Sequence, residues 1–430
     1  MPGWSAAELP RGRMKRMSTD SAILNEVERM MLRRGGHSTN PIVKNALQAE
    51  RETLDIALVV GNGFDLGLGL KTGYQDFLRS YLNRKLKINN VVDKFVSKIR
   101  QDKESWGDAE LAFGQLDFSS LGEDVESVYR MCIHDFQQSL ESYLSDEASR
   151  LIISNGQLAA IRKQLALAVI SIIDRVGLNA MFDEKKRVVV NILTLNYTDT
   201  IDRLLDFGGK TLRSRIYFKH NGSNIEVEFR EVVHLHGQIG MGYQVLFGVD
   251  NPSQVADEKL RSLCESAGYL LKPQKAKIGS LFQYEKGKKI LGKSDVVILF
   301  GVSFGKTDMS WWDEIARNAV ADVEGKRARD KDFNVVLCPY TKEPIDVGTI
   351  DDKIYIEAQE RRKLIDGMSD SMSSRLTDGM RERFHVLGYG PFKDPWSGER
   401  YFCDPLHLHS IGKRFVNGYD EEPVKDLSYP

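Results

Sequence analysis

The chain lacks any C-x-x-C pair: its four cysteines, Cys132, Cys264, Cys338 and Cys403, are scattered over 430 residues. Neither a zinc ribbon nor a disulfide framework can be built on that spacing, and unpaired thiols suit a reducing cytoplasm. An excess of either charge is missing too. With 60 Lys and Arg against 61 Asp and Glu, no global field draws in nucleic acid or an anionic membrane. Long apolar runs are also absent: the longest, Leu165 to Ile173, lies between Lys163 and Asp174, far short of the ~20 residues that span a bilayer. The first residues mix Arg11, Arg13, Lys15 and Arg16 with polar side chains and lead into no apolar core, unlike a secretory signal. A soluble cytoplasmic protein without a membrane segment is expected, large enough for two or three lobes.

What the sequence does hold is a sharp glycine-bracketed turn, Gly61-Asn62-Gly63-Phe64-Asp65, between the apolar run Ile56 to Val60 and a helix-compatible segment near Thr72. Strand, tight loop and helix in that order are how a backbone cradles a phosphate, because glycine permits positive φ and close approach. The spacing is one residue longer than the usual dinucleotide fingerprint through Gly67, and such glycines also occur in ordinary turns.

Ahead of this loop, residues 1–50 form an N-terminal extension with one short amphipathic helix, in which Ile23, Leu24, Val27, Met30 and Met31 recur between Ser21 and Gly35-Gly36. Behind it, residues 73–185 stay helical in pattern. They form a helical lobe inserted over a sheet, with Tyr74, Phe77, Leu78 and Tyr81 on one core-facing side. From 187 onward, short β-branched runs each end in polar residues: Val188 to Thr194, Glu231 to Leu235, Gln244 to Phe247, Val296 to Phe300 and Asn334 to Leu337. With residues 51–72 they predict an α/β, doubly wound, Rossmann-like parallel sheet over 51–72 and 186–345, whose ligands bind beyond the carboxyl ends of the strands. Residues 346–430 read as an irregular and helical extension. Its His407-x-His409 has no acidic or cysteine partner nearby, so no metal site is expected.

Asn196 and His236 stand at two of those strand ends, an amide and an imidazole beside a loop of the phosphate-binding kind. Cleaving an N-glycosidic bond passes through an oxocarbenium-like state, which needs the sugar oriented, bulk water excluded and one water admitted. Asn can hold a ribose hydroxyl and that water, and His can take a proton near neutral pH. The plainer roles are a turn-forming Asn and a hydrogen-bonded His at a strand end.

Gly61 through Phe77, Leu195 through Asp202, His234-Leu-His-Gly237, Phe247-Gly-Val-Asp250 and Leu299 through Asp308 together resemble the motifs of the AbiH family of bacteriophage abortive-infection proteins, over about 55–340. That family is similar in turn to sirtuin-like (SIR2-like) NAD hydrolases of bacterial defence. The resemblance implies a SIR2-like nucleotide-binding domain in which Gly61, Asn62, Gly63 and Asp65 line the phosphates and ribose of NAD, with Phe64, Thr198, Asp202 and Gly237 among the binding residues. It implies that Asn196 and His236 are catalytic and that Gly301 and Ser303 hold the adenosine side. Thr198 stands where such hydrolases often carry Asp, the four-cysteine zinc module of deacylases is absent, and Asp308 falls two residues beyond the acid expected after Gly-x-Ser, in the place of a helix cap. The function so implied is an antiphage effector that depletes NAD on infection, with NAD as substrate rather than cofactor, a phage-derived trigger and assembly into a homo-oligomer. A nucleotide-binding sensor without turnover would carry the same pocket. A nuclease toxin would need clustered acids and a basic groove, which the sequence lacks.

Overall fold

The computed structural model describes residues 52–417 apart from 86–89, 103–105, 183–184, 207–213, 221, 242–244, 280, 328–331, 341–344, 347–349, 389 and 394–399. The expected helix at 21–36 lies outside the described residues. A seven-stranded sheet forms the centre. Its strands are β1 (Thr53–Val60), β2 (Arg187–Thr194), β3 (Ser214–His220), β4 (Ser223–His234), β5 (Val296–Phe300), β6 (Asn334–Cys338) and β7 (Phe384–Val386), in the spatial order β3-β4-β2-β1-β5-β6-β7. All neighbours pair in parallel except β3 with β4, an antiparallel hairpin at one edge.

The central strands are apolar on both faces because helices cover both. Ile56, Leu58 and Val60 of β1 join one core cluster, whereas Ala57 and Val59 join another, and β5 divides Val296, Ile298 and Phe300 from Val297 and Leu299 in the same way. Period-2 alternation thus puts successive side chains into opposite layers. Each fully buried Val, Leu or Ile contributes roughly 1.5–3 kcal/mol relative to exposure.

Six helices follow β1: α1 (Gly63–Gly67), α2 (Tyr74–Tyr81), α3 (Val91–Gln101), α4 (Ala109–Gly114), α5 (Val125–Ser149) and α6 (Asn155–Arg175). After β2 come α7 (Thr200–Leu205), α8 (Glu258–Ala267), α9 (Lys272–Gly279), α10 (Leu281–Lys293), α11 (Met309–Val323), α12 (Ile350–Gly367) and α13 (Leu408–Phe415). α6 is capped where Ser154 N–H donates to Gln157 Oε1 at 3.0 Å. By length and composition it could cross a membrane, but Leu158, Ile161, Leu165, Val169 and Ile172 are buried, four of the five in the core cluster with β1 and β2. Its apolarity belongs to a core helix.

The segment 73–185 therefore divides. α6 lies in the sheet's own core, whereas α2 to α5 build a separate aromatic cluster in which Phe77, Phe95, Phe113 and Phe136 are almost fully buried. Phe247 enters the same cluster, 5.3 Å from Phe136 and 5.6 Å from Phe113 between ring centroids.

This burial corrects the expected strand at Gln244 to Phe247. Gln244 is outside the described residues, Val245 to Phe247 join no ladder, and only Val249 makes a single bridge, to Leu271. Gly248 lies so close to Leu270 O that a Cβ there would sit 2.0 Å from it. The Phe-Gly-Val-Asp motif is thus a packing device, with Asp250 Oδ2 accepting from Ser310 N–H at 2.9 Å at the start of α11.

Among the described residues beyond 346, helices and short strands pack onto the sheet. α12 buries Leu364, β7 adds a parallel strand beside β6, and α13 buries Leu408 and Ile411 in the main core. Three short strands, Ile345–Asp346, Gly390–Lys393 and Arg400–Cys403, form a small second sheet.

Candidate active site

The chain leaves β1 toward β2 and β4 on one side, and β5 leads to β6 and β7 on the other, so the topological switch lies between β1 and β5. At the carboxyl ends of these strands is a cavity of about 1060 Å³, lined among others by Gly61, Asn62, Gly63, Asn196, His236, Gly301 and Ser303. Doubly wound sheets bind their ligands there.

The glycine loop is built by contact with the loop after β5. Gly61 N–H donates to Phe300 O at 3.0 Å and Gly63 N–H to Gly301 O at 2.9 Å. Both amides are thus engaged within the protein, unlike the free phosphate donors of the expected cradle, and α1 spans only five residues. Asn62 Oδ1 accepts from Thr72 Oγ1 at 2.6 Å, tying the loop to the start of α2.

Asp65 and Phe64 are both fully buried. Phe64 belongs to the main core and does not line the cavity, contrary to a binding role. Asp65, at the cavity floor, accepts Thr198 Oγ1 at 2.6 Å and also bonds Thr200 Oγ1, and the Asn196 side chain adds a further hydrogen bond. Burial pushes its carboxyl up to about 6, with these three donors opposing. Asp65 and Thr198 thereby fix the loop that carries Asn196, joining the end of β1 to the end of β2.

Two histidines separate at the end of β4. His234, the last strand residue, faces Asp202 with Nε2 2.9 Å from Oδ2, and neither residue lines the cavity. His236 does, because the chain turns at Leu235, with Gly237 closing the turn through its N–H to His234 O at 3.3 Å. Asp202 and Gly237 thus stand behind the cavity wall.

The structure adds charged groups that the motifs did not assign. His236 Nε2 lies 2.9 Å from Asp308 Oδ1, in close contact but not aligned as a hydrogen bond. Lys272 Nζ bridges Asp308 Oδ1 at 2.8 Å and Glu110 Oε2 at 2.6 Å, and Tyr197 donates to Glu110 Oε1 at 2.9 Å. All five are largely or fully buried. Burial opposes ionisation of Asp308, but the charge of Lys272 and the contact with His236 outweigh it and hold its carboxyl well below the usual range. For Glu110 burial dominates over Lys272 and its carboxyl rises. Lys272 would be lowered by burial, yet Asp308 and Glu110 together raise it. Nothing in the linear sequence joins these groups, separated by 162 and 36 residues.

The far rim is completed by Pro339, Tyr340, Glu360, Lys363 and His409. His409 N–H is capped by Asp404 Oδ2 at 2.6 Å. Among the described residues no three His, Cys, Asp or Glu side chains are grouped to hold a metal ion.

A doubly wound α/β protein with a large cleft at its switch point is the class these features define. The chain belongs to the bacteriophage abortive infection AbiH family, whose model matches residues 57–324, more than half its length. Its role is therefore in abortive infection. No curated protein matches the chain. Tyr340, Glu360, Lys363 and His409 lie outside the family match although they line the same cavity.

Proposed function

We propose that the chain is an abortive-infection effector that hydrolyses NAD to nicotinamide and ADP-ribose in a SIR2-like manner. The observation that carries this reading is that Asn196 and His236 line one cavity together with Gly63 and Ser303. The cavity is at the upper end of the roughly 300–1,000 Å³ of small-molecule pockets, which gives room for a dinucleotide.

In this reading the Asn196 amide orients a ribose hydroxyl and the attacking water, with Asp65 holding its loop. The water oxygen bonds to the anomeric carbon as the bond to the pyridinium nitrogen breaks. The bonding pair neutralises that nitrogen, nicotinamide leaves, and the water's proton passes to His236 and then to solvent. Of the acidic groups lining this part of the wall, Glu110 and Asp308 are paired with Lys272, which leaves Asp108 to favour a pyridinium cation over an anion.

The test is incubation of the full chain with NAD, followed by chromatography for nicotinamide and ADP-ribose, and measurement of NAD in infected cells. Release of both products, with NAD lost as infected cells arrest, supports hydrolysis. Arrest at an unchanged NAD level, with no cleavage by the purified chain, replaces it by a nucleotide sensor without turnover.

A further inference from the structure

The site contains more buried charge than binding a neutral sugar requires. Glu110, Lys272, Asp308 and His236 come from α4, the start of α9, the turn after β5 and the end of β4, and they meet in one chain of contacts of 2.6 to 2.9 Å. Isolated buried charges are costly, whereas alternating ones compensate if each is paired. The order here alternates: carboxylate, ammonium, carboxylate, imidazole. Glu110 has its second oxygen on Tyr197 OH and on Gly248 N–H at 3.3 Å, so it is anchored independently of the histidine. Asp308 is reached by both Lys272 and His236 through the same oxygen, Oδ1.

We propose that Asp308 is the positioning residue for His236 and that Lys272, balanced by Glu110, is the clamp that holds Asp308 against the ring. Asp308 Oδ1 lies 2.9 Å from Nε2, and its charge, rather than an aligned hydrogen bond, favours the proton of the neutral imidazole on that nitrogen, which leaves Nδ1 as the proton acceptor. A carboxylate that fixes a tautomer in this way acts through the histidine rather than on the substrate. Removing Lys272 alone leaves two buried carboxylates in one network without their shared cation. One must then take up a proton or move, and the ring loses its partner. Removing Lys272 and the charge of Glu110 together keeps the balance and leaves Asp308 on His236.

This assignment rests on the proposed hydrolysis only for its kinetic consequence, and a readout independent of turnover tests it first. In the full chain labelled with ¹⁵N-histidine, with the His236 signal identified by its loss in His236→Gln, the wild-type ring should carry its proton on Nε2. Asp308→Asn should shift the ring toward a mixture of tautomers. Lys272→Met should do the same, and Glu110→Gln with Lys272→Met should restore the wild-type signature. Should Asp308→Asn fail to fold, Asp308→Glu, which keeps the charge and lengthens the arm, should fold and retain Nε2 protonation. With NAD as substrate, Asp308→Asn should lower kcat by about 10²- to 10⁴-fold with little change in KM, the upper end being the loss when the carboxylate behind a catalytic histidine is made an amide. An unaltered tautomer in Asp308→Asn, or a double variant no better than Lys272→Met, overturns the proposal. If the tautomer responds as expected but the wild-type chain releases no nicotinamide, the clamp stands and the hydrolase reading falls.

Discussion

Gly63 and Gly301 meet backbone to backbone: a Cβ on Gly63 would lie 2.5 Å from Gly301 Cα, and one on Gly301 would lie 2.6 Å from Gly63 Cα. The loop after β1 and the loop after β5 thus close on each other across the switch point, and Gly301 adds a φ of +62° that side chains rarely adopt. Glycine at these positions serves the floor of the cleft before it serves any ligand.

Gly301→Ala should therefore destabilise the chain. Overpacking typically costs about 1–3 kcal/mol, and a left-handed residue with a Cβ costs roughly another 1–2 kcal/mol. Gly63→Ala, which lacks the φ penalty, should lose less. Urea unfolding monitored by circular dichroism measures both, and midpoints within error of wild type would show that the loops can separate without cost.

Asp65 makes stability depend on pH in an identifiable direction. Its carboxyl, ordinarily near 3.8, is pushed up to about 6 chiefly by burial, so the folded state binds its proton more tightly than the unfolded chain. The stabilisation from that proton is complete below pH 4 and is lost as pH rises through 6. Asp65→Asn has no such ionisation. Stability of the variant relative to wild type should rise between pH 4 and pH 7, by about 3 kcal/mol for a displacement of two pH units. Asp250, also pushed up to about 6, is present in both proteins and cancels. Parallel stability curves for the two proteins would mean that the buried carboxyl is not protonated in this range.

How much of this was legible in the sequence depends on where each element sits. β1, β2, β5 and β6 are buried on both faces, and their continuous Val, Ile and Leu runs announced them. The β3–β4 hairpin did not stand out, because an edge with a solvated face places Arg215, Tyr217 and Lys219 in its strands. The alternation Ile225, Val227, Phe229 and the Asn221-Gly222 dipeptide were the available signals. Asn196 and His236 could be found because each follows a strand, and the switch-point rule then brings strand ends together. The partners of His236 could not, since Glu110, Lys272 and Asp308 meet only through tertiary packing. Asp308 in sequence resembles a helix cap. Gln244 to Phe247 misled for the opposite reason: a short apolar run reads as a strand whether it pairs in a sheet or plugs an aromatic core.

Lys363 is expected to affect binding rather than chemistry. It stands on the cavity rim, largely exposed, with Nζ 2.5 Å from the buried Glu360 Oε1. Two N–H groups of the glycine loop are already engaged, so a phosphate in this cavity needs a cation from elsewhere. An exposed pair contributes at most about 1 kcal/mol, so Lys363→Ala should raise KM for NAD roughly five-fold at unchanged kcat. A change in kcat alone would place Lys363 in the chemical step.

The sharpest contrast lies between the two histidines at the end of β4 and the asparagine at the end of β2. His236 and Asn196 line the cavity, whereas His234 turns to Asp202 behind it. Proton transfer by a positioned side chain is typically worth about 10² to 10⁴ in rate, and misplacing a reactant can cost about 10². His236→Ala and Asn196→Ala should therefore slow NAD cleavage by about 10²-fold or more and lift infection-linked arrest in a chain that still folds, although each also takes a partner from a buried carboxylate, Asp308 or Asp65, at about 1–3 kcal/mol. His234→Ala should instead leave Asp202 without its partner at a largely buried site, at a stability cost of about 1–3 kcal/mol, while the folded fraction still cleaves NAD. If His234→Ala eliminates cleavage in a chain that melts normally, and His236→Ala does not, the roles assigned to the two rings are reversed. If all three variants cleave NAD at the wild-type rate, the chemistry belongs to other residues of this cavity.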